Sequence, residues 1–99
     1  MNLHILASAF RDLADGRDFY ERHDLDLGGY FLDSLFSDID SLALYAGIHR
    51  KVFGFHRLLS RRFPYGIYYG FNNENVIVHR VLDLRQAPRK IRAALKFSK

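Results

Sequence analysis

The chain has five histidines, His4, His23, His49, His56 and His79. They are the first candidates for acid–base or metal chemistry, because imidazole titrates near neutrality and is the commonest metal ligand. Their spacing argues against a metal site. No two stand four apart on a helix, there is no His-Glu-x-x-His run, and the acidic residues concentrate in the other half of the chain. His56 and His79 fall in strand-like segments, where a common sheet surface is open to both. There is no cysteine, which removes thiolate ligands, disulfides and a cysteine nucleophile. Serine hydrolysis needs an exposed nucleophile on a sharp turn beside a base. Ser60 has no Gly-x-Ser-x-Gly context, and Ser8, Ser34, Ser37 and Ser41 read as helix-cap or solvated-face residues. Gly28-Gly29 is an isolated pair and not a phosphate-cradling loop. Neither a cofactor nor a metal is expected.

The other chemistry lies in the arginines. Over its 99 residues the chain carries a net charge of +4. Residues 1–48 hold 3 Lys/Arg against 9 Asp/Glu, a balance of −6, and residues 49–99 hold 12 against 2, a balance of +10. Arg50, Lys51, Arg57, Arg61, Arg62, Arg80, Arg85, Arg89, Lys90 and Arg92 interleave with Phe and Tyr. Guanidinium forks pair bidentately with phosphates or carboxylates, and aromatic rings stack on bases. Two readings follow: a basic face that attracts nucleic acid or an acidic protein, or two halves that neutralise each other across the fold.

These residues need elements to position them. Leu3 to Ala7 predicts a first strand. Ser8 is placed to cap a helix running to about Arg22, with Ala9, Leu13, Gly16 and Tyr20 on its inner stripe; Gly16 reads equally as a site of close helix approach or as a tolerated exposed glycine. Gly28-Gly29 marks a connection to a second helix, Gly29 to Tyr45, with Leu32, Leu35, Phe36, Ile39, Leu42, Ala43 and Ala46 inward and Asp33, Ser37, Asp40 and Ser41 outward. The short link makes an antiparallel helical hairpin.

After Gly47 the period changes to that of strands: Val52–Leu59, a turn at Ser60–Arg62, Phe63–Phe71, a hairpin turn at Asn72–Asn75, and the β-branched Val76–Leu82, expected centrally. In Phe63–Phe71, Phe63, Tyr65, Ile67, Tyr69 and Phe71 share one face. Pro64, Gly66, Tyr68 and Gly70 share a second, nearly bare face that something else can approach. Pro88 opens a short basic helix with Ile91, Ala94 and Leu95 inward. The fold class is α+β, in β-α-α-β-β-β order: a helical hairpin on one face of a small, mainly antiparallel sheet, followed by a basic C-terminal segment. The length suits one domain, residues 1–99. No apolar run approaches the ~20 residues of a membrane span, and Met1-Asn2-Leu3-His4 has no signal-like character, so a cytoplasmic protein without membrane partners is expected.

Arg57-Leu58-Leu59 leading into Arg61-Arg62-Phe63-Pro64-Tyr65-Gly66-Ile67-Tyr68-Tyr69 resembles the RelE/ParE superfamily of small bacterial toxins, and the ParE branch in particular. Asp12-Leu13 with Phe19-Tyr20-Glu21 is similar to that family's first helix, and Leu27-Gly28 with Phe31-Leu32-Asp33-x-Leu35 to the start of its second. The resemblance spans roughly residues 3 to 90. It implies the toxin of a type II toxin–antitoxin system, regulating bacterial growth, neutralised by an antitoxin with an acidic tail and inhibiting DNA gyrase by binding.

The RelE branch instead cleaves messenger RNA on the ribosome. Where that branch has arginine after the residue matching Tyr65 this chain has Gly66, and in place of its C-terminal Tyr or His the chain ends Leu95-Lys96-Phe97-Ser98-Lys99. Relative to the ParE pattern His-x-Arg-Arg-Asp-Pro, the residues Asp83-Leu84-Arg85-Gln86-Ala87-Pro88 keep only Arg85 and Pro88. The binding surface expected for antitoxin and target is the exposed sheet face and tail: Arg57, Arg61, Arg62, Tyr65, His79, Arg85 and Arg89. The nuclease alternative draws on Tyr65, His79 and Arg85. A basic interaction module that has lost toxicity is the third reading.

Overall fold

The computed structural model describes residues 1–97; Ser98 and Lys99 of the C-terminal comparison lie outside the described residues. Strand β1 (Asn2–Ile5) leads into α1 (Ala7–His23), α2 (Leu27–Asp40) and the single turn α3 (Leu42–Tyr45). Then come β2 (Lys51–Val52), β3 (Phe55–Leu59), β4 (Tyr65–Phe71), β5 (Asn75–Asp83) and α4 (Pro88–Lys96). The sheet order is β1-β5-β4-β3-β2, with β1 parallel to β5 and every other pair antiparallel. This is the α+β architecture and element order expected, and β5 is an interior strand as its β-branched run suggested.

The helical hairpin covers one sheet face. Ala9 and Leu13 of α1, Phe31, Leu35 and Ile39 of α2, and Leu42 of α3 pack with Tyr65, Ile67, Tyr69, Val76, Val78 and Val81. Of the two readings of Gly16, the structure has close helix approach: the residue is buried, and a Cβ built there would fall 2.5 Å from Cζ of Phe31. The link is Asp24–Asp26, not Gly28-Gly29, and both glycines lie inside α2. Glu21 makes that early start possible by accepting from the backbone N–H of Asp26 (3.1 Å) and Gly28 (2.9 Å), two donors left open at a helix start. Those two bonds hold the Glu21 carboxyl below its ordinary range.

Other expectations are corrected. Ser8 does not cap α1: Leu6 holds that position, and the Ser8 hydroxyl donates to the carbonyl of His79 at 2.7 Å. The second helix does not run through to Tyr45 but breaks at Ser41, whose hydroxyl donates to the Asp38 carbonyl (2.6 Å). Ser34 is buried, not solvated. Val52–Leu59 is not one strand. Phe53 and Gly54 both have positive φ, 53° and 88°, and fold the segment into the β2–β3 hairpin in the manner of a two-residue primed turn. For phenylalanine that conformation costs roughly 1–2 kcal/mol.

The second sheet face is not bare. Tyr68 is fully buried there with Phe55 and Leu82, under Ile91 and Leu95 of α4, as a second small core.

One pair ties these layers together. Strand β5 carries an extra residue opposite Tyr68/Tyr69, so that Tyr68 faces Arg80 and Tyr69 faces Val78. Asp12 of α1 meets this bulge: it takes Nε of Arg80 at 2.7 Å, Nη2 at 2.9 Å and the backbone N–H of Val81 at 2.9 Å. The third guanidinium nitrogen, Nη1, donates to the Ala94 carbonyl of α4 at 3.1 Å.

Asp12→Asn is expected to lower unfolding free energy by about 2–4 kcal/mol, because it leaves a largely buried guanidinium without its counter-charge; urea denaturation checks this. Glu21→Gln is expected to lower Tm at neutral pH. Because the native carboxyl is held low, its stabilisation is complete above about pH 4.3 and is lost as pH falls through the native value. Melting curves of parent and variant should therefore converge in acid.

Candidate functional site

The predicted site residues separate into three groups. Arg57 and His79 lie on the α4 side of the sheet. The Arg57 stem fills the space above Gly66, where a Cβ would meet Arg57 Cδ, Leu84 Cδ2 and Tyr68 Cε1, each at 3.1 Å. The room for a side chain at position 66 is thus occupied by an arginine from the neighbouring strand. His79 is the extra residue of the β5 bulge, with its ring 5.0 Å from that of Phe55. Arg57 Nε, Tyr68 Oη and His79 Nδ1 are buried with no hydrogen-bond partner among the described residues. His56 does not share the surface: it stacks on Tyr69 (5.4 Å between ring centres) on the helical-hairpin side.

Tyr65 and Arg85 form the second group, at the end of β5 beside α1. Tyr65 is only 7% exposed, so it belongs to the core and not to an exposed sheet face. Burial, then the nearby charge of Asp83, pushes its hydroxyl up to about 12. It is a protonated hydrogen-bond donor at neutral pH and cannot serve there as a base. Arg85 grips Asp83 through both prongs, Nε at 3.0 Å and Nη2 at 2.8 Å, and its Nη2 also reaches the Tyr20 hydroxyl at 3.3 Å. Burial alone would raise the Asp83 carboxyl, but the Arg85 side-chain and backbone donors outweigh it and hold the carboxyl low. Arg85 therefore reaches solvent with its charge already compensated. A cleft of about 320 Å³ adjoins the cluster, lined in part by Asp12, Tyr65, Arg80 and Asp83.

Arg61 and Arg62 stand exposed on the β3–β4 connection, and Arg89 is exposed on α4. The connection is pinned by Asp38, a residue that sequence reasoning did not select. Its Oδ2 accepts from the Ser60 hydroxyl at 2.8 Å and the Arg61 N–H at 3.3 Å. Its signal was present: Asp38 interrupts the apolar spacing of Leu35, Ile39 and Leu42, and a carboxylate inside such a stripe requires buried donors.

The Tyr65, His79 and Arg85 set does not converge. His79 is packed on Phe55 across the sheet from the core that holds Tyr65. Among the described residues, no group of three or more His, Asp or Glu is placed to hold a metal ion, and no helix is long and apolar enough to cross a membrane. Direct pairing between the two charged halves is limited among the described residues. Of the three ion pairs among the described residues, only Arg80–Asp12 joins them; Arg17–Asp18 and Arg85–Asp83 each stay within one half.

No family model and no curated protein matches the chain. Among solved structures, it is similar to a chain of the chromosomal ParDE TA system from P. aeruginosa, at 20% identity and a TM-score of 0.72, over 85% of this chain and 96% of that one. The likeness is one of fold. The fold expected from the ParE resemblance is therefore the fold observed.

Because the raised Tyr65 value favours the neutral phenol in the native state, stability should fall as pH rises from about 10 towards 12, by about 1.4 kcal/mol per pH unit. Chemical denaturation across this range should show the decline in the parent and a smaller one in Tyr65→Phe.

Proposed function

We propose that the chain is the toxin of a bacterial type II toxin–antitoxin system, a cytoplasmic growth regulator formed by one domain over residues 1–99. An antitoxin with an acidic tail neutralises it, and it acts on DNA gyrase by binding and not by catalysis. The observation that carries this reading is the likeness of fold to a chain of a ParDE TA system over 85% of this sequence. The charge distribution supports it. Arg57, Arg61, Arg62 and Arg89 have no carboxylate partner among the described residues, so an acidic segment gains their full attraction without breaking internal pairs. His79 lies on the same side of the sheet as Arg57. Tyr65 and Arg85 serve this reading differently, as a buttress that presents the start of β4 and the chain leading into α4.

Cleavage of RNA needs a base at the 2′-hydroxyl and an acid at the leaving oxygen, held at one locus. Tyr65 and Arg85 sit apart from His79, which favours binding over ribosome-dependent messenger RNA cleavage.

Induction of the chain alone in bacteria is the test, with plasmid supercoiling and transcript integrity measured in one culture. Growth arrest with relaxed plasmid and intact transcripts is the expected result. Cut transcripts with normal supercoiling would establish the nuclease reading in its place, and growth without arrest would leave a basic interaction module.

A further inference from the structure

The β2–β3 turn presents an aromatic ring where the backbone resists one. Phe53 and Gly54 both have positive φ, and the first such position is normally filled by Asn, Asp or Gly. A bulky residue held in the left-handed region points to a constraint outside the turn itself. Burial supplies little of it, since Phe53 is 42% exposed. The ring stands beside a cleft of about 610 Å³ whose other walls are Arg89, Arg92, Ala93, Leu95 and Lys96 of α4. Arg89, Arg92 and Lys96 recur at intervals of three and four residues and so share one face of the helix. None of the three has a carboxylate partner among the described residues, and no Asp or Glu lines the cleft. Arg92 lies over the Phe53 ring, 5.9 Å from its centre.

We propose that this cleft receives an acidic peptide segment bearing an apolar side chain. The apolar group lies against Phe53 and Ala93, and flanking carboxylates meet Arg89, Arg92 and Lys96. The assignment rests on the toxin–antitoxin reading, in which the segment belongs to the antitoxin. The ring decides between peptide and single-stranded nucleic acid. Successive bases need several stacking platforms, and Phe53 is the one aromatic among the described residues that line the cleft. An aliphatic side chain needs only the ring's remaining apolar surface and the alanine beside it. Acidic side chains on one side of an extended peptide recur about every 7 Å, somewhat more than the roughly 4.5–6 Å axial steps between these cations, and the long, flexible Arg and Lys side chains span the difference.

Fluorescence anisotropy with the full chain tests this, using a labelled Glu-Leu repeat peptide as probe and a Glu-Ser repeat and oligothymidylate as comparators. The Glu-Leu peptide is expected to bind at least about tenfold more tightly than either comparator. Phe53→Asn should weaken its binding at least about tenfold, while its Tm equals or exceeds the parent's, because asparagine accepts positive φ readily. Arg92→Glu, which leaves the turn untouched, should weaken binding to a similar degree.

Undiminished binding by either variant, a preference for oligothymidylate, or a lower Tm in Phe53→Asn overturns the assignment. Failure here is distinguishable from failure of the toxin reading. A chain that arrests growth but fails these binding tests keeps the reading and loses the cleft. One that passes them without arresting growth keeps an acidic-peptide site and loses the reading.

Discussion

The Asp12 carboxylate meets three donors from one short stretch of β5, and the layers of the molecule depend on that meeting. A bulged strand leaves backbone groups that no neighbouring strand can satisfy. Here α1 satisfies them from the side, Asp12 taking the Val81 N–H and the Ser8 hydroxyl bonding the His79 carbonyl. Arg80 supplies the counter-charge and passes a bond on to α4. One interaction thus joins the first helix, the register break in β5 and the last helix. The ion pair is costly to desolvate, and the three-way connection is a specific benefit that apolar residues of similar volume would not provide.

The bulge has a further consequence for the surface. It turns His79 towards Phe55 while Val78 and Val81 remain in the hairpin-side core. Without the inserted residue the side-chain alternation of β5 would continue unbroken, and a one-residue slip exchanges faces. The α4 side accordingly combines a small apolar core with Arg57, Tyr68 and His79, each retaining an unsatisfied buried polar atom. Around it stand cations of α4 that have no carboxylate partner among the described residues. The helical hairpin lies across the sheet from α4, and the two charged halves meet directly in one ion pair among the described residues, Arg80–Asp12.

Two arginines of equal standing in the sequence have unequal standing in the molecule. Arg85 is clamped by Asp83 two residues earlier, and a ligand must compete with that carboxylate. Arg89 has no such competitor among the described residues. Asp38 makes a related point for Arg61 and Arg62: an acidic residue on the hairpin fixes the backbone that displays two basic ones, through neutral donors and without quenching either charge.

The sequence by itself determined the helical hairpin, because its apolar residues recur with the helical period. It determined the core face of β4, because Tyr65, Ile67 and Tyr69 alternate with a strand's period of two. It also determined the charge segregation, since composition along the chain is independent of folding. All of these are local and periodic properties. Tertiary structure alone decided the rest. Asp12 and Arg80 are 68 positions apart, and no local pattern announces a bond that only the packing of α1 on β5 creates. Phenylalanine favours strands, so the residue types at Phe53-Gly54 suggest uninterrupted strand; the positive φ of both residues, which makes the turn, is visible only in the folded backbone. Tyr68 was read as standing on an open face because α4, distant in the chain, is what closes it. Whether an arginine is spent on the fold or left for a partner depends on which carboxylate reaches it, and that is a distance in space that the order of residues does not contain.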